Sequence, residues 1–194
     1  MSLLALTATA PMDIPEEPSR ALESAKAGEL AAFDQLMREH ERLVLMTALR
    51  LLGRLEDAQD ASQEVFLRLY RHLSKVETPV LAPWLYRVTV NVCHDMRRKQ
   101  AHSADIEDLP EPIAADADPQ RLTTEAERRR ALAMSLRMLP EKERAAIVLR
   151  DLEGLSTEEV ARILGSSEAT VRSQVSKARV KIRGFLERYF RRRV

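Results

Sequence analysis

Thr170, Arg172, Ser173, Gln174, Lys177 and Lys181 recur along one side of a stretch whose other side carries Val171, Val175, Ala178 and Ile182. Apolar residues every three or four positions predict a helix with one buried face. Hydroxyl, amide and basic groups opposite them, crowded toward the start, supply donors suited to base edges and phosphates. Just upstream, Ser156 and Glu159 have the spacing of a capping box. Val160, Ile163 and Leu164 give a short first helix its apolar side, Gly165 suits a left-handed stop, and Ser166 or Ser167 can cap the second helix from about Glu168. Short helix, glycine turn and basic second helix form the arrangement used to enter a DNA major groove. The same residues also suit a plain helical hairpin with a solvated charged face.

A second constellation lies upstream. Trp84, Arg87, Asn91, His94 and Arg98 fall at helical spacing, and Arg97, Arg98 and Lys99 close the run. An aromatic ring beside phosphate-binding cations is the chemistry that holds unpaired bases. A core tryptophan with cations that neutralise a helix C-terminus would leave the same pattern. A third set, Asp57, Asp60, Gln63, Glu64, Leu67 and Arg71, lies outside an apolar stripe of Ala58, Ala61, Val65, Leu69 and Leu73. Acids in a first turn complement the helix dipole, which periodicity favours over a docking face for a partner. No glycine-rich phosphate loop appears, and no nucleophile with its base, so an enzyme finds no support. His40, His72, His94 and His102 have no metal-ligand spacing, and no metal or other cofactor is expected. The lone Cys93 excludes an internal disulfide and a cysteine zinc site, and fits a reducing cytoplasm.

Composition sets the frame for these groups. Of 194 residues 45% are hydrophobic, only 4% aromatic, and 5 are glycine, which favours helices over sheets. The net charge of +1 hides segregation: residues 101–120 hold six acids and no Lys or Arg, whereas 121–194 hold 18 Lys and Arg against 10 Asp and Glu. A basic C-terminal half points to a polyanionic partner, and the acidic, proline-containing stretch before it to a flexible linker. Met1–Ala10 lacks a basic n-region and is not read as a signal peptide, and no apolar run suffices to span a bilayer.

The expected fold is therefore all-α: two small helical domains joined by a flexible acidic linker, the C-terminal one holding the helix-turn-helix. Residues 1–18 are read as a disordered tail, 19–100 as the first domain, 101–123 as the linker and 124–194 as the second domain. In the first domain helices are expected at Glu29–His40 (inner side Leu30, Phe33, Leu36, Met37), Arg42–Leu52 closed by Gly53, Glu56–Leu73, and from Pro83 to Lys99. In the second they are expected at Thr124–Leu139, with Leu132, Met134, Leu136 and Met138 inside, and at Glu141–Leu152, before the two of the helix-turn-helix. The tail Arg188–Val194 is expected to fray. Cys93, beside Val92 in mid-helix, is read as a small buried hydrophobe.

Two stretches now match one family. DAQDASQEVFLRLYRHL (Asp57–Leu73) with APWLYRVTVNVCHDMRRK (Ala82–Lys99) resembles the first domain of bacterial sigma factors of the extracytoplasmic-function (ECF) subgroup. LPEKERAAIVLRDLEGLSTEEVARILGSSEATVRSQVSKARVKIR (Leu139–Arg183) resembles their second domain. With Phe33–Leu52, the likeness covers most of residues 25–185 in the family's order. It implies a cytoplasmic promoter-recognition subunit that serves a stress or envelope regulon, monomeric when free, with core RNA polymerase (β′ and β subunits), promoter DNA and an anti-sigma factor as partners and no membrane insertion. By resemblance Asp57, Asp60, Gln63, Glu64 and Leu67 dock on the β′ coiled-coil. Trp84, Arg87, Asn91, Arg97 and Arg98 hold the opened minus-ten strand. Ser167, Thr170, Arg172, Ser173, Gln174 and Lys177 face the minus-thirty-five duplex, with Arg179 and Lys181 toward phosphates. The sequence departs from the family at Gln174, usually basic, and Ala169, often glycine; a glutamine can still read adenine bidentately. A decoy that binds an anti-sigma factor without driving transcription, or a stand-alone helix-turn-helix regulator, are the alternatives. Arg172, Lys177 and the Arg97–Lys99 cluster argue against the first, and the likeness of the first domain against the second.

Overall fold

The computed structural model describes residues 20–76, 80–103 and 122–191. The 1–18 tail, most of the 101–123 linker and the last three residues lie outside the described residues. All regular structure among the described residues is helical.

The N-terminal half contains α1 (Arg20–Lys26), α2 (Leu30–Leu52), α3 (Leu55–His72, extended by a 3₁₀ turn at Leu73–Lys75) and α4 (Ala82–Ser103). Leu36, Leu43, Val44 and Ala48 of α2 meet Ala58, Ala61, Val65 and Leu69 of α3 and Leu85 and Tyr86 of α4 in a closed core. Two expectations are corrected here. The separate helices at Glu29–His40 and Arg42–Leu52 are one, because neither glycine nor proline interrupts the chain between them. His40 turns inward, its Nδ1 3.0 Å from the Leu36 carbonyl oxygen. Leu30, expected inside, opens the helix and is 69% exposed. Helix α1 was not foreseen; Ala21, Leu22 and Ala25 seat it against α2. Gly53 ends α2 at φ 83°, its N–H bonded to the Leu49 carbonyl at 2.8 Å.

The C-terminal half contains α5 (Leu122–Arg137), α6 (Glu141–Ile147), α7 (Thr157–Leu164) and α8 (Glu168–Arg191). The α6 ladder widens into a π-helical turn over Val148–Leu152, where a single α-helix to Leu152 was expected. The Glu153 N–H there reaches the Val148 carbonyl at 2.9 Å. In α5 the buried set is Ala131, Leu132, Ser135 and Leu136, while Met134 is half-buried and Met138 is 63% exposed. The expected set of 132, 134, 136 and 138 repeats every two residues, and a helix cannot hold such a set on one face. Helix α8 stays regular through Arg191, so the expected fraying does not begin at Arg188.

The two halves pack together. Helix α7 lies on α4, and α2 meets α5 and the π turn. One buried apolar cluster runs through both halves. Polar groups fix the seam. Glu153, 6% exposed, accepts hydrogen bonds from Thr47 Oγ1 (2.9 Å), Arg50 Nη1 (2.5 Å) and Tyr86 Oη (3.3 Å). Burial, with the Glu153 carboxylate adding to it, pushes the Tyr86 phenol far up, so Tyr86 remains a donor. Arg144, 2% exposed, donates to the carbonyls of Leu51 (2.8 Å), Arg137 (3.0 Å) and Leu139 (2.7 Å). A Cβ at Gly53 would stand 2.9 Å from Arg137 Cδ, so the halves touch closely there.

Candidate nucleic-acid and polymerase interfaces

The helix-turn-helix follows from local signals. Ser156 Oγ accepts the Glu159 N–H at 3.2 Å, and Glu159 Oε2 accepts the Ser156 N–H at 2.7 Å. Hydrogen bonds from the Ser156 side chain and from the Ser156 N–H hold the Glu159 carboxyl below its ordinary range. Gly165 ends α7 in the left-handed region, φ 60° and ψ 40°. Ser167, not Ser166, caps α8: its Oγ accepts the Thr170 N–H at 3.1 Å and lies 2.8 Å from Thr170 Oγ1. Val171, Val175, Ala178 and Ile182 are buried, which fixes the rotation of α8.

That rotation exposes Ser167, Thr170, Arg172, Ser173 and Lys177 together. Arg172 leans back on Glu168 Oε2 at 2.9 Å. Gln174 is half-buried, with its Oε1 enclosed and unpartnered. Its carbonyl is thus turned away from the exposed face, although a bidentate contact needs both ends of the amide. Arg179 clasps Asp151 with two bonds of 2.8 and 2.7 Å, and those bonds raise its pKa. Lys181 contacts both Glu143 oxygens at 2.8 Å. These two cations fasten α8 to the π turn and to α6. Sequence reasoning missed Arg150, Ser176 and Arg183. With Thr157, Arg172 and Arg179 they line a cleft of about 390 Å³ beside α8. The spacing 172, 176, 179 and 183 is a helical ladder legible in the sequence, but Arg150 joins it only through the fold.

Pro83 sits in the first turn of α4 and Leu85, Tyr86, Thr89, Val92 and Cys93 face inward. Trp84 is half-buried against the core, so it serves packing and keeps part of its ring accessible. Arg87, Asn91, His94 and Arg98 are exposed along one stripe. Arg87 Nη2 donates to the Arg162 carbonyl of α7 at 2.7 Å. His94 Nε2 lies 3.3 Å from Glu141 Oε2. Arg97 is half-buried and donates to the Leu51 carbonyl at 3.3 Å; burial lowers its pKa and the nearby Glu141 opposes that. Cys93 is buried and its thiol is pushed up to about 12, so it carries no thiolate at neutral pH.

On α3, Asp60, Gln63 and Leu67 stand exposed, Leu67 by 50%. Asp57 accepts from Gln100 Nε2 at 3.1 Å, and Glu64 from Arg68 Nε at 2.7 Å. Tyr70, 58% exposed, meets Phe33 edge-on at 5.3 Å and continues the strip. Among the described residues no cluster of three His, Cys, Asp or Glu side chains is placed to hold a metal, and no helix is long and apolar enough to cross a membrane.

Comparison with known proteins matches both halves. The Sigma-70 region 2 family matches residues 36–103, and the Sigma-70 region 4 family matches residues 129–182. The ECF RNA polymerase sigma factor SigE of Mycolicibacterium smegmatis is 34% identical over 181 residues, which cover 90% of this chain and 70% of that protein. ECF RNA polymerase sigma factor SigM of Mycobacterium tuberculosis is 38% identical over 160 residues, or 80% and 78% of the two chains. Among solved structures, CnrH in complex with the cytosolic domain of CnrY aligns with a TM-score of 0.63 at 26% identity, covering 86% of this chain and 95% of that one.

Proposed function

The chain belongs to the ECF sigma factors of bacterial RNA polymerase, and from that premise we propose that it selects promoters for the core enzyme and opens them at the minus-ten element. The observation that carries this reading is the pairing, in one chain, of two different nucleic-acid chemistries. Helix α8 displays Thr170, Arg172, Ser173 and Lys177 on one exposed side, as duplex reading requires. Helix α4 pairs the half-accessible Trp84 with Arg87, Asn91, Arg97 and Arg98, as capture of unstacked bases requires. A stand-alone duplex regulator has no use for the second set.

The residues then take these roles. Asp60, Gln63, Glu64 and Leu67, with Asp57 at the edge, form a strip that docks on the polymerase β′ subunit. Ser167 and Thr170 keep α8 capped and bring its positive N-terminal end to the DNA. Arg172, Ser173 and Lys177 read or anchor the minus-thirty-five duplex. Arg179 and Lys181 act first as fasteners of α8, and Gln174 contributes to base reading only after its amide turns outward. Each half alone presents a small surface, so useful promoter affinity comes from linking both on the polymerase. An anti-sigma factor is the proposed regulator. The CnrH–CnrY complex, in which a chain of this fold is held by a cytosolic domain, supports that proposal.

The test is binding of the purified chain to core RNA polymerase beside Asp60→Ala and Glu64→Ala, followed by transcription from promoters selected with the resulting holoenzyme. Binding weakened by both substitutions, and promoter-specific transcripts, are the expected results. Duplex binding by the free chain with no affinity for polymerase would identify a stand-alone regulator. Affinity for polymerase without any transcript would identify a decoy.

A further inference from the structure

The apolar stripe of α8 runs further than the half that buries it. Val171, Val175, Ala178 and Ile182 are each 5% exposed or less. Past Ile182 the stripe continues through Phe185, Leu186, Tyr189 and Phe190, and all four are only half-buried. Leu186 still packs against the core. The three rings lie in a row: Phe185 and Tyr189 stack with centroids 5.8 Å apart, and Tyr189 meets Phe190 edge-on at 5.3 Å. Adjacent aromatic rings left half in water mark a surface with a use beyond the fold.

The charges around the rings define the partner. At about 100° per residue, Phe185, Leu186, Tyr189 and Phe190 span a sector of about 140°, with Arg183 about 20° beyond one edge and Arg188 about 60° beyond the other. Arg183, Arg188 and Arg191 are exposed, and Glu187 is the single acid between them. Arg192 and Arg193 follow in the sequence. Arginines bordering an aromatic sector suit a helix lying in the plane of a lipid–water interface, where rings enter at headgroup depth and guanidinium groups meet phosphates. Duplex DNA offers the phosphates without the apolar layer. Phe190 also lies about 30 Å along the helix axis from Thr170, far from the face assigned to the duplex.

We propose that the last turns of α8, from Arg183 to Arg191, form a peripheral docking surface for anionic phospholipid. No helix among the described residues is long and apolar enough to cross a membrane, so the contact is adsorption. The sector is short, so binding is weak and reversible and needs rings and charge together.

The full chain is sedimented with vesicles of phosphatidylcholine alone and with vesicles of equal parts phosphatidylcholine and phosphatidylglycerol. Capture by the anionic vesicles only, with release as ionic strength rises, is expected. Phe185→Ala combined with Phe190→Ala is expected to weaken capture about tenfold. Arg188→Gln, at an exposed position, is expected to weaken it about fivefold. Both variants are expected to leave promoter transcription by the holoenzyme as it was. Should the paired ring variant lose helical content, Phe190→Ala alone decides. No capture by anionic vesicles, or equal capture by neutral ones, overturns the proposal. Capture that survives loss of the rings is adsorption by charge alone and overturns it too. Ring variants that keep vesicle capture but lose polymerase or duplex affinity assign the rings to a protein or to DNA instead.

Discussion

Along α8, Thr170, Arg172, Ser173 and Lys177 stand exposed, whereas along α4 Arg87 and Arg97 already donate to backbone carbonyls and His94 faces a carboxylate. Both stripes are polar sides of amphipathic helices, and both carry cations at helical spacing. They differ in what lies opposite. The cations that tie down α8, Arg179 and Lys181, find their acids within their own half, Asp151 and Glu143. Those of α4 find partners across the seam and at the end of α2. A polar helix face proposed to meet nucleic acid can thus be held in two ways, one that fastens the helix through cations beside that face and one that draws on the face itself.

The contrast can be broken at several points. The largest effect is expected from Arg144→Ala, which removes a buried guanidinium bonded to three carbonyls, one of them across the seam; a loss of about 3 kcal/mol is expected in denaturant unfolding. If the halves are one cooperative unit, the transition stays single and moves as a whole. Next, Trp84→Ala should cost about 1–3 kcal/mol in binding of the opened strand by the holoenzyme, with minus-thirty-five duplex binding unchanged. Equal losses on both DNA forms would erase the division of labour between α4 and α8. Lys177→Ala should weaken duplex binding modestly and lower the salt slope of log affinity by about 1, while strand binding holds its slope.

The smallest effect is expected at the cap of α7. Ser156→Ala should destabilise the C-terminal half by about 1 kcal/mol, read as a lower melting temperature. The Ser156 side chain, with the Ser156 N–H, also depresses the Glu159 pKa, so that contribution is complete above the ordinary carboxylate range and fades as pH falls through the lowered value. The Ser156→Ala penalty should therefore shrink in acid; a penalty independent of pH would remove the carboxylate from the cap.

What could be read from the residues was what is local. The Ser156–Glu159 box, the Gly165 stop and the apolar stripe of α8 all involve neighbours within one or two turns, and each formed at its expected place. The stripe of α3 was equally plain. The period-two set in α5 failed because the number of apolar residues outweighed their spacing, and Ser135, buried with its hydroxyl bonded to Leu132, held an inward place. The division of α2 failed because the polar run 38–42 does not interrupt a helix that lacks glycine and proline. The seam could not be read at all. Its acceptors include the Leu51 and Arg162 carbonyls, and a backbone carbonyl leaves no mark on the side-chain pattern. Glu153 looks like any loop acid until its three donors, more than sixty residues away along the chain, are brought to it.

The π turn at Val148–Leu152 has a further consequence. Asp151 lies within it and Glu153 directly follows, one moored to α8 through Arg179 and the other to the N-terminal half through Arg50. Two ropes run from adjacent cleats. If α8 settles on a duplex as proposed, a tilt of the helix would tug Asp151, and two residues later that pull would arrive at Glu153. Deleting one residue from the widened turn would swing both acids by about 100° around the helix axis and cast off both lines at once.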